Sequence, residues 1–494
     1  MGFSQHTLIL KNDGTLWSCG RNDYGQLGLG DTTNRSTFTQ VATNTDDIKL
    51  VCCGYYHTFI LENDGTLWGC GRNDYGQLGL GDTTNRSTFT QVTTNADDIK
   101  SIYCGGYHTF MLKNDGTLWS TGCNEHGQLG LGDTTNRTTF TQVTTNTDNI
   151  KQVYCGGYNY TLILKNNGTL WGCGLNDKGQ LGLGSSYYSI TTFTEITTNV
   201  DNIKRVYCGS EHNFMLKNDG TLWGCGWNEY GQLGLGDGSY RYTFTQVTTN
   251  TDNIKQIYCG GTHTLILKND GTLWSCGWNG HGQLGLGNTT DRTTFTQVTT
   301  NVNNIKEIYC GSGCTFILKN DSTLWGTGRN NFGQLGLGDT THRTTFTEIT
   351  TNTGDIKSLP DQYDIPAIIK VYDLNTGLIE TLDTNNFKNI PVDKFEKIKV
   401  LYTNPDETLI NCLISFDNKS TWKTFDGINW AIVSDTTPNN ILLSGMSLKA
   451  INSLDKAKLI SGGFTGNMDF KIALKTNNKT KTPSITKIYI QYKN

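Results

Sequence analysis

The apolar positions between residues 99 and 144 fall into four short runs that turn residues separate. IKSIYCG from Ile99 and HTFMLK from His108 come first, TLWSTG from Thr117 is the third run, and FTQVT from Phe140 is the fourth. Asn114-Asp-Gly separates the second run from the third, and glycine adopts the positive φ that tight hairpin turns require. The pattern predicts four short antiparallel strands in this segment.

This segment is one of seven copies. The tryptophan of the third predicted strand recurs at a spacing of 51 or 52 residues, at Trp17, Trp68, Trp119, Trp171, Trp223, Trp274 and Trp325. Four strands per unit and a repeat of this length are typical of β-propeller blades. We therefore predict an all-β fold, in which a seven-bladed β-propeller of four-stranded blades spans residues 1–359.

The two ends of the repeat array are complementary. The first copy starts at its second strand, His6–Lys11, and the last copy is followed by a lone first strand over residues 355–359. We predict that this last strand completes the first blade. Closing the ring in this way leaves only short, protected sheet edges.

Composition changes sharply after the array. All six prolines follow residue 359, and arginine is absent beyond residue 360. These two shifts predict a domain boundary near residues 358–366 and a second domain over residues 360–494. Short β-type runs and a predicted helix from Met446 indicate a smaller β-rich module, either a sandwich or an α+β fold.

Charge and hydropathy exclude several classes of partner. A formal net charge of −4 and a pI near 6.1 give no basic footprint, so no nucleic acid partner is expected. No run of 18 apolar residues occurs, so no membrane insertion is expected. The N-terminal segment MGFSQHTLIL lacks a charged region before a long apolar core. We therefore expect synthesis in the cytoplasm without a signal peptide.

Recurring cysteines and histidines are interpreted as structural. CxxC pairs are absent, and Thr121 and Thr327 replace cysteine in two copies, as expected for a small buried residue and not for a metal ligand. Cys314 similarly takes the place of the recurring histidine. Motifs of hydrolases, phosphate loops and zinc proteases are absent as well. We expect no metal, no cofactor, no catalytic residue and no enzymatic activity.

Differences between the copies indicate a candidate binding site. Copies four to six depart from the common pattern and carry a concentration of aromatic residues, in segments that leave the predicted blades at one face; Arg21 and Arg72, for example, are replaced by Trp227 and Trp278. Aromatic residues on the loops of a rigid scaffold are typical of recognition sites, although packing between blades is an alternative explanation. The candidate ligand-binding residues are Tyr187, Tyr188, Trp227, Tyr230, Tyr240, Tyr242 and Trp278.

The segment GGYHTFMLKNDGTLWSTGCNEHGQLGLG from Gly105 resembles the repeat of the regulator of chromosome condensation family, and all seven copies keep Gly-Gln-Leu-Gly. The resemblance implies a seven-bladed propeller. Nucleotide exchange in that family uses a wedge inserted between blades and a basic tail, and this sequence shows neither. The ultraviolet-B photoreceptor branch carries Gly-Trp-Arg-His-Thr, where this chain reads Gly-Tyr-Tyr-His-Thr from Gly54.

Two C-terminal segments are similar to tail and fibre proteins of phages that infect Gram-positive bacteria: LISFDNKSTWKTFDGINWAIV from Leu413 and FKIALKTNNKTKTPSITKIYIQYKN from Phe470. This resemblance implies a non-enzymatic receptor-binding or baseplate-attached component of a phage tail or tail-like particle. Its expected partners are a bacterial surface glycan or surface protein and other tail or baseplate proteins. It would leave the bacterial cytoplasm by lysis, in a virion or tail-like particle. An intracellular scaffold for protein partners and a GTPase-regulating nucleotide exchange factor are the two alternatives.

Overall fold

The computed structural model describes residues 4–42, 48–354 and 356–358 of the repeat array. Further along the chain it describes residues 390–391, 395–403, 408–415, 422–425, 430–433, 467–476 and 484–492. The chain divides into two compact units, Met1–Asp364 and Ile365–Asn494. The boundary at residue 359 and the helix from Met446 lie outside the described residues and stay predictions.

Seven four-stranded antiparallel sheets make up the described part of the array, as predicted for a seven-bladed propeller. The strands of blades 1 to 4 are β1 (His6–Lys11), β2 (Leu16–Gly20), β3 (Arg35–Gln40), β4 (Ile48–Cys53), β5 (His57–Glu62), β6 (Leu67–Gly71), β7 (Arg86–Gln91), β8 (Ile99–Cys104), β9 (His108–Lys113), β10 (Leu118–Gly122), β11 (Arg137–Val143), β12 (Ile150–Cys155), β13 (Tyr160–Lys165), β14 (Leu170–Asn176) and β15 (Tyr187–Ile196). Those of blades 5 to 7 are β16 (Ile203–Cys208), β17 (His212–Lys217), β18 (Leu222–Gly226), β19 (Arg241–Val247), β20 (Ile254–Cys259), β21 (His263–Lys268), β22 (Leu273–Gly277), β23 (Arg292–Val298), β24 (Ile305–Cys310), β25 (Cys314–Lys319), β26 (Leu324–Gly328) and β27 (Arg343–Ile349), followed by β28 (Ile356–Ser358).

The last strand of the array closes the ring. Blade 1 has the strand order β28-β1-β2-β3, and β28 pairs antiparallel with β1, with Leu10 opposite Ser358 and Lys11 opposite Ile356. Ile356 is 1% exposed and belongs to a hydrophobic cluster shared by blades 1 and 7. The closure predicted from the two ends of the array is therefore confirmed.

Six blades have the glycine of the predicted turn, whereas Ser322 takes its place in blade 7 with φ +68°, and the fourth strands are longer than expected. Gly116 in the Asn-Asp-Gly turn has φ +87°. In blade 3 the fourth strand begins at Arg137, three residues before the predicted FTQVT run. The extension arises because a register shift after Ser120 lets Gly122 pair with Arg137. Such a bulge twists the strand pair locally and redirects the chain that follows.

The blades pack through glycines that face aromatic rings of the next blade. A Cβ added at Gly79 of blade 2 would lie 2.7 Å from the Phe140 ring of blade 3, and Gly79 has φ +69°. The fourteen cysteines of the described part of the repeat array are free and all buried. In blade 3 Thr121 takes the cysteine position, and its hydroxyl lies 2.9 Å from the Gly76 carbonyl oxygen and 2.8 Å from that of Arg137. The interpretation of these positions as small and structural is confirmed.

The recurring histidines form hydrogen bonds between neighbouring blades. Thr58 Oγ1 donates to the Gln26 carbonyl, which can only accept, so Thr58 accepts from the Nε2–H of His6. Between blades 4 and 5 both partners differ: Tyr160 takes the histidine position and Asn213 takes the threonine position. The Tyr160 hydroxyl lies 2.8 Å from Asn213 Oδ1. These contacts confirm a structural role for the histidines. The five His–Thr contacts, between 2.9 and 3.1 Å, are His6–Thr58, His57–Thr109, His108–Thr161, His212–Thr264 and His263–Thr315.

The second unit is described by its strands alone. One sheet has the strand order β29-β34-β31-β32-β33, and β30 pairs with β35. The β-rich character of this unit, and the choice between a sandwich and an α+β fold, stay predictions. The strands are β29 (Ile390–Pro391), β30 (Phe395–Thr403), β31 (Thr408–Ser415), β32 (Trp422–Phe425), β33 (Trp430–Val433), β34 (Asn467–Thr476) and β35 (Ser484–Tyr492).

Candidate binding face

Two loops of every blade meet at one face of the ring. In blade 1 the Arg21 backbone N–H donates to the Gln5 carbonyl, and the Arg21 guanidinium donates to Gln5 Oε1 at 2.8 Å. The loop after the first strand and the long segment after the third strand therefore lie side by side. At the other face, the Lys113 ammonium contacts Asp97 at 2.7 Å, which joins the two remaining turns.

A belt of side chains runs along this face and is built from two repeat positions. The first position follows the glycine that ends the third strand, and the second precedes Gly-Gln-Leu-Gly. Arg72 of blade 2 lies 4.9 Å from the Tyr24 ring of blade 1 and 5.5 Å from the Tyr75 ring of its own blade. The belt residues are Arg21, Arg72, Cys123, Leu175, Trp227, Trp278 and Arg329 at the first position, and Tyr24, Tyr75, His126, Lys178, Tyr230, His281 and Phe332 at the second.

Tyrosines of the inner loops cover the arginines of blades 1 and 2. Tyr56 lies 5.0 Å from Arg21, and Tyr107 lies 5.4 Å from Arg72. Burial, followed by the neighbouring Tyr56 hydroxyl, raises the pKa of Tyr107 to about 12. Cation–π contacts of this kind contribute about 0.5–1 kcal/mol each at partly exposed sites. Tyrosine and arginine thus hold one another in place in this half of the belt.

The opposite half of the belt contains tryptophan and an ion pair between a partly exposed lysine and a buried glutamate. Lys178 Nζ lies 2.8 Å from both oxygens of Glu211 and 4.6 Å from the Trp227 ring. Burial raises the pKa of the Glu211 carboxyl, and the Lys178 charge opposes that shift. Burial alone would lower the pKa of Lys178, but its bonds to Glu211 outweigh burial and raise it. The pair fixes the ammonium beneath the Trp227 ring.

The structure places four of the seven predicted site residues in one cluster. Trp227 and Tyr230 have ring centroids 5.4 Å apart, and Tyr230 and Trp278 are 6.1 Å apart. Trp227 Nε1 donates to Glu229 at 3.2 Å, and the Tyr240 hydroxyl reaches the same carboxylate at 3.5 Å. The three rings of Trp227, Tyr230 and Trp278 thus form a row, Tyr240 joins it through Glu229, and all four side chains are partly exposed. Their role in binding stays a prediction.

The other three predicted residues are the more exposed ones. Tyr187 is 52% exposed, Tyr188 71% and Tyr242 37%. Tyr187 starts the outer strand of blade 4, where it is opposite Asn176, and the Tyr188 ring lies 5.1 Å from His126 of blade 3. Of the seven residues, these three therefore extend the candidate surface outward from the cluster.

Sequence reasoning missed the arginine half of the belt. Comparison of copies emphasised what differs, whereas Arg21, Arg72, Tyr24 and Tyr75 are identical between copies one and two. The sequence shows that these residues recur at two fixed repeat positions. It does not show which blade each ring contacts. Among the described residues, no group of three or more histidine, cysteine or acidic side chains could hold a metal ion. No helix long and apolar enough to span a membrane occurs among the described residues.

The architecture and the repeated Gly-Gln-Leu-Gly segments define a propeller of the regulator of chromosome condensation type. Models of the regulator of chromosome condensation (RCC1) repeat match residues 13–61, 64–112 and 115–163, and a model of the RCC1-like domain matches residues 143–358. The chain is 31% identical over 347 residues to the ultraviolet-B receptor UVR8 of Arabidopsis thaliana, covering 69% of this chain and 78% of that protein. The chain belongs to the regulator of chromosome condensation (RCC1) repeat family.

Other relatives carry the repeats within longer proteins. The X-linked retinitis pigmentosa GTPase regulator of Mus musculus is 30% identical over 322 residues, which cover 53% of this chain and 32% of that protein. The chain thus spans about a third of this relative's length. Yeast RCC1 (Prp20), solved in complex with Kap60, has a TM-score of 0.62 at 20% identity and covers 72% of this chain and 86% of that chain. This likeness shows the fold.

The comparisons contradict the predicted function in a phage tail. The relatives include an ultraviolet-B receptor, GTPase regulators and a probable E3 ubiquitin-protein ligase, and the repeat models of this family match residues of the propeller. The phage interpretation rested on short alternating segments near residues 413–433 and 470–494, and such β-type runs occur in modules of unrelated function. The surface glycan, the baseplate partners and the virion location expected from it are untested and are not carried forward. RCC1-like propeller proteins are generally non-catalytic regulators.

Proposed function

We propose that this chain is a non-catalytic regulator that binds a GTPase through its belt face. The observation that carries the proposal is its relation to a protein named as a GTPase regulator, at 30% identity over 322 residues. Ultraviolet reception is not proposed, although UVR8 is a relative. The inner loop of blade 2 carries Tyr55 and Tyr56 where that branch of the family has tryptophan and arginine.

The aromatic half of the belt is the proposed contact surface. Trp227, Tyr230 and Trp278 present partly exposed rings, and Tyr187 and Tyr188 extend the surface outward. Tryptophan and tyrosine are enriched among residues that carry most of the binding energy in protein interfaces. The Lys178–Glu211 pair, with Glu211 7% exposed, holds the Trp227 ring from below. A prepositioned ring loses little conformational entropy on binding.

The contact would be made by short loops on a rigid ring. The described blades are nearly uniform in length, and the main departures are the extra residue near Tyr158 and the ten-residue outer strand of blade 4. The regulator would therefore act through side chains of the belt face and not through a long inserted segment. The partner would need a complementary exposed apolar patch flanked by polar groups.

The experiment is a binding measurement with the full chain and a panel of purified small GTPases, each prepared with GDP, with GTP and without nucleotide. The test variant is Trp227→Arg, Tyr240→Asn, Tyr242→Ser, which installs the residues that blade 1 has at the same positions. The scaffold already accepts those residues, so the fold is expected to persist. We expect saturable binding of at least one GTPase by the wild-type chain and a loss of at least about tenfold in the variant, as for interface aromatic hot spots.

A ring-preserving variant provides the matched control. Trp227→Phe, Tyr240→Phe, Tyr242→Phe keeps three aromatic surfaces and is expected to retain most of the affinity. Melting temperatures of all three chains report whether the fold is intact. Binding by none of the GTPases would overturn the proposed function, and equal binding by the blade-1-like variant would overturn the proposed surface.

A further inference from the structure

Arg329 of blade 7 differs from the other belt arginines in the group that faces its guanidinium. In blades 1 and 2 the Nε–H donates to an aspartate two residues later, whereas in blade 7 it donates to an asparagine. Two of the three guanidinium charges therefore have a carboxylate built in beside them, and the third faces a neutral amide. The three pairs are Arg21–Asp23 at 2.7 Å, Arg72–Asp74 at 2.8 Å and Arg329–Asn331 at 2.7 Å.

The cover over Arg329 is also different. Blade 2 has Tyr56 in its inner loop, and the Tyr56 ring lies 5.8 Å from Arg72. Blade 7 has Gly313 at the same repeat position. A Cβ added at Gly313 would lie 3.5 Å from Cβ of Arg329 and 3.8 Å from Cδ2 of His281. The glycine therefore places no side chain beside the guanidinium where blade 2 has a tyrosine ring, and the aromatic ring recorded against Arg329 is that of Phe332, at 5.5 Å.

Two histidines stand next to this position. The rings of His281 and His342 have centroids 4.4 Å apart. The Asn330 backbone N–H donates to Nδ1 of His342 at 2.9 Å, so the proton of neutral His342 is on Nε2. Burial, then the neighbouring His342 and Arg329, lowers the pKa of His281 to about 4. Burial, then the Arg329 charge, also lowers the pKa of His342. Both rings are therefore mainly neutral at pH 7, and each neutral ring has one N–H to donate.

We propose that Arg329, His281 and His342 bind a carboxylate side chain presented by a protein partner. The proposal deepens the proposed function, since it names the chemistry of one contact on the same face. The geometry favours a carboxylate because the equivalent arginines of blades 1 and 2 each hold one at 2.7 to 2.8 Å. A guanidinium fork matches two carboxylate oxygens, and charge-assisted bonds of this kind are the stronger ones.

The experiment is an NMR titration of the full chain, labelled with ¹⁵N-arginine, with a pentaglutamate peptide as the probe. The Nε–H resonance of Arg329 is assigned by its loss in Arg329→Lys. We expect the chemical shift of this resonance to change and to reach a plateau as peptide is added. The resonances of Arg21 and Arg72 are expected to shift far less, because Asp23 and Asp74 already bond to their guanidinium groups. In Asn331→Asp, which rebuilds the blade 1 arrangement, we expect affinity to fall at least about tenfold, as for loss of one charge-assisted contact.

Matched variants and a second probe make each outcome decisive. Asp23→Asn removes the built-in carboxylate of blade 1 but keeps the Tyr56 cover, so binding at Arg329 is expected to be unchanged. Asn331→Asp is expected to melt no lower than the wild type. No saturable shift, equal affinity in Asn331→Asp, or saturation by inorganic phosphate without saturation by pentaglutamate would each overturn the proposal. Binding of a GTPase without pentaglutamate binding would refute this contact alone and leave the proposed function standing.

Discussion

Lowering the pH from 7.5 to 5 is expected to destabilise the propeller through its five buried histidines. Burial lowers the pKa of each from 6.5 to about 3: His6, His57, His108, His212 and His263. At pH 7.5 these histidines are neutral in the folded and unfolded chain, so they contribute no pH dependence there. Below pH 6.5 the unfolded chain takes up protons that the folded chain does not, and stability falls.

The magnitude follows from the size of the shift. Each buried histidine makes stability fall by about 1.4 kcal/mol per pH unit between pH 6.5 and 3, which amounts to about 2 kcal/mol per histidine at pH 5. Five such groups give an upper bound of about 10 kcal/mol at pH 5. The turn aspartates, such as Asp13 and Asp64, have pKa values lowered below 3.8 by their hydrogen bonds to threonine. Their contribution is lost only at more acidic pH.

The assay is urea unfolding at pH 7.5, 6 and 5, followed by tryptophan fluorescence. We expect the free energy of unfolding to fall steeply below pH 6.5. In His108→Gln, which removes one titrating ring and keeps an N–H donor, the loss between pH 7.5 and 5 is expected to shrink by about 2 kcal/mol. A stability that stays constant from pH 7.5 to 5 would refute the assignment of these histidines as buried and neutral.

Two further predictions concern ring closure and contacts between blades. Deleting residues 356–358 removes the β28–β1 pairing and the buried Ile356 side chain, and differential scanning calorimetry is expected to show a fall of about 10 °C in melting temperature. The control Ile356→Val is expected to cost about 1 kcal/mol, and an unchanged melting temperature in the deletion would contradict closure by β28. Thr58→Val leaves the His6 N–H buried without an acceptor, so urea unfolding is expected to show a loss about 1–3 kcal/mol larger than for Thr7→Val, whose neighbour in blade 7 is cysteine. Equal losses in the two valine variants would contradict the deduced tautomer.

Much of the fold was predictable because the sequence repeats one supersecondary unit seven times. The hairpin turns, the closing strand and the structural cysteines all follow from local turn chemistry and from comparison of copies. The early start of the fourth strand was not predictable, because it depends on a bulge that pairs Gly122 with Arg137. A bulge is a property of two strands together and leaves little trace in either one alone.

The candidate site was predictable in part. The change from Arg21 to Trp227 marked the aromatic half, since a position that varies among copies is not fixed by the scaffold. The arginine half was missed because its contacts join residues of different blades, and sequence spacing does not report the distance between them. The surroundings of Arg329 were not predictable, because they depend on three residues that only the fold brings together: Gly313, Asn331 and His342. The phage interpretation was wrong because it rested on the C-terminal segments, whereas the repeat models of the family match residues of the propeller.

The central claim is that the belt face regulates a GTPase, and nucleotide release measures it most directly. A fluorescent GDP analogue is loaded onto each GTPase of the panel, and its release is followed after addition of the full chain. We predict that the wild-type chain changes the release rate of at least one GTPase, and that Trp227→Arg, Tyr240→Asn, Tyr242→Ser loses that effect while melting like the wild type. Release rates that the wild-type chain leaves unchanged across the panel, or that both chains change equally, would contradict the claim.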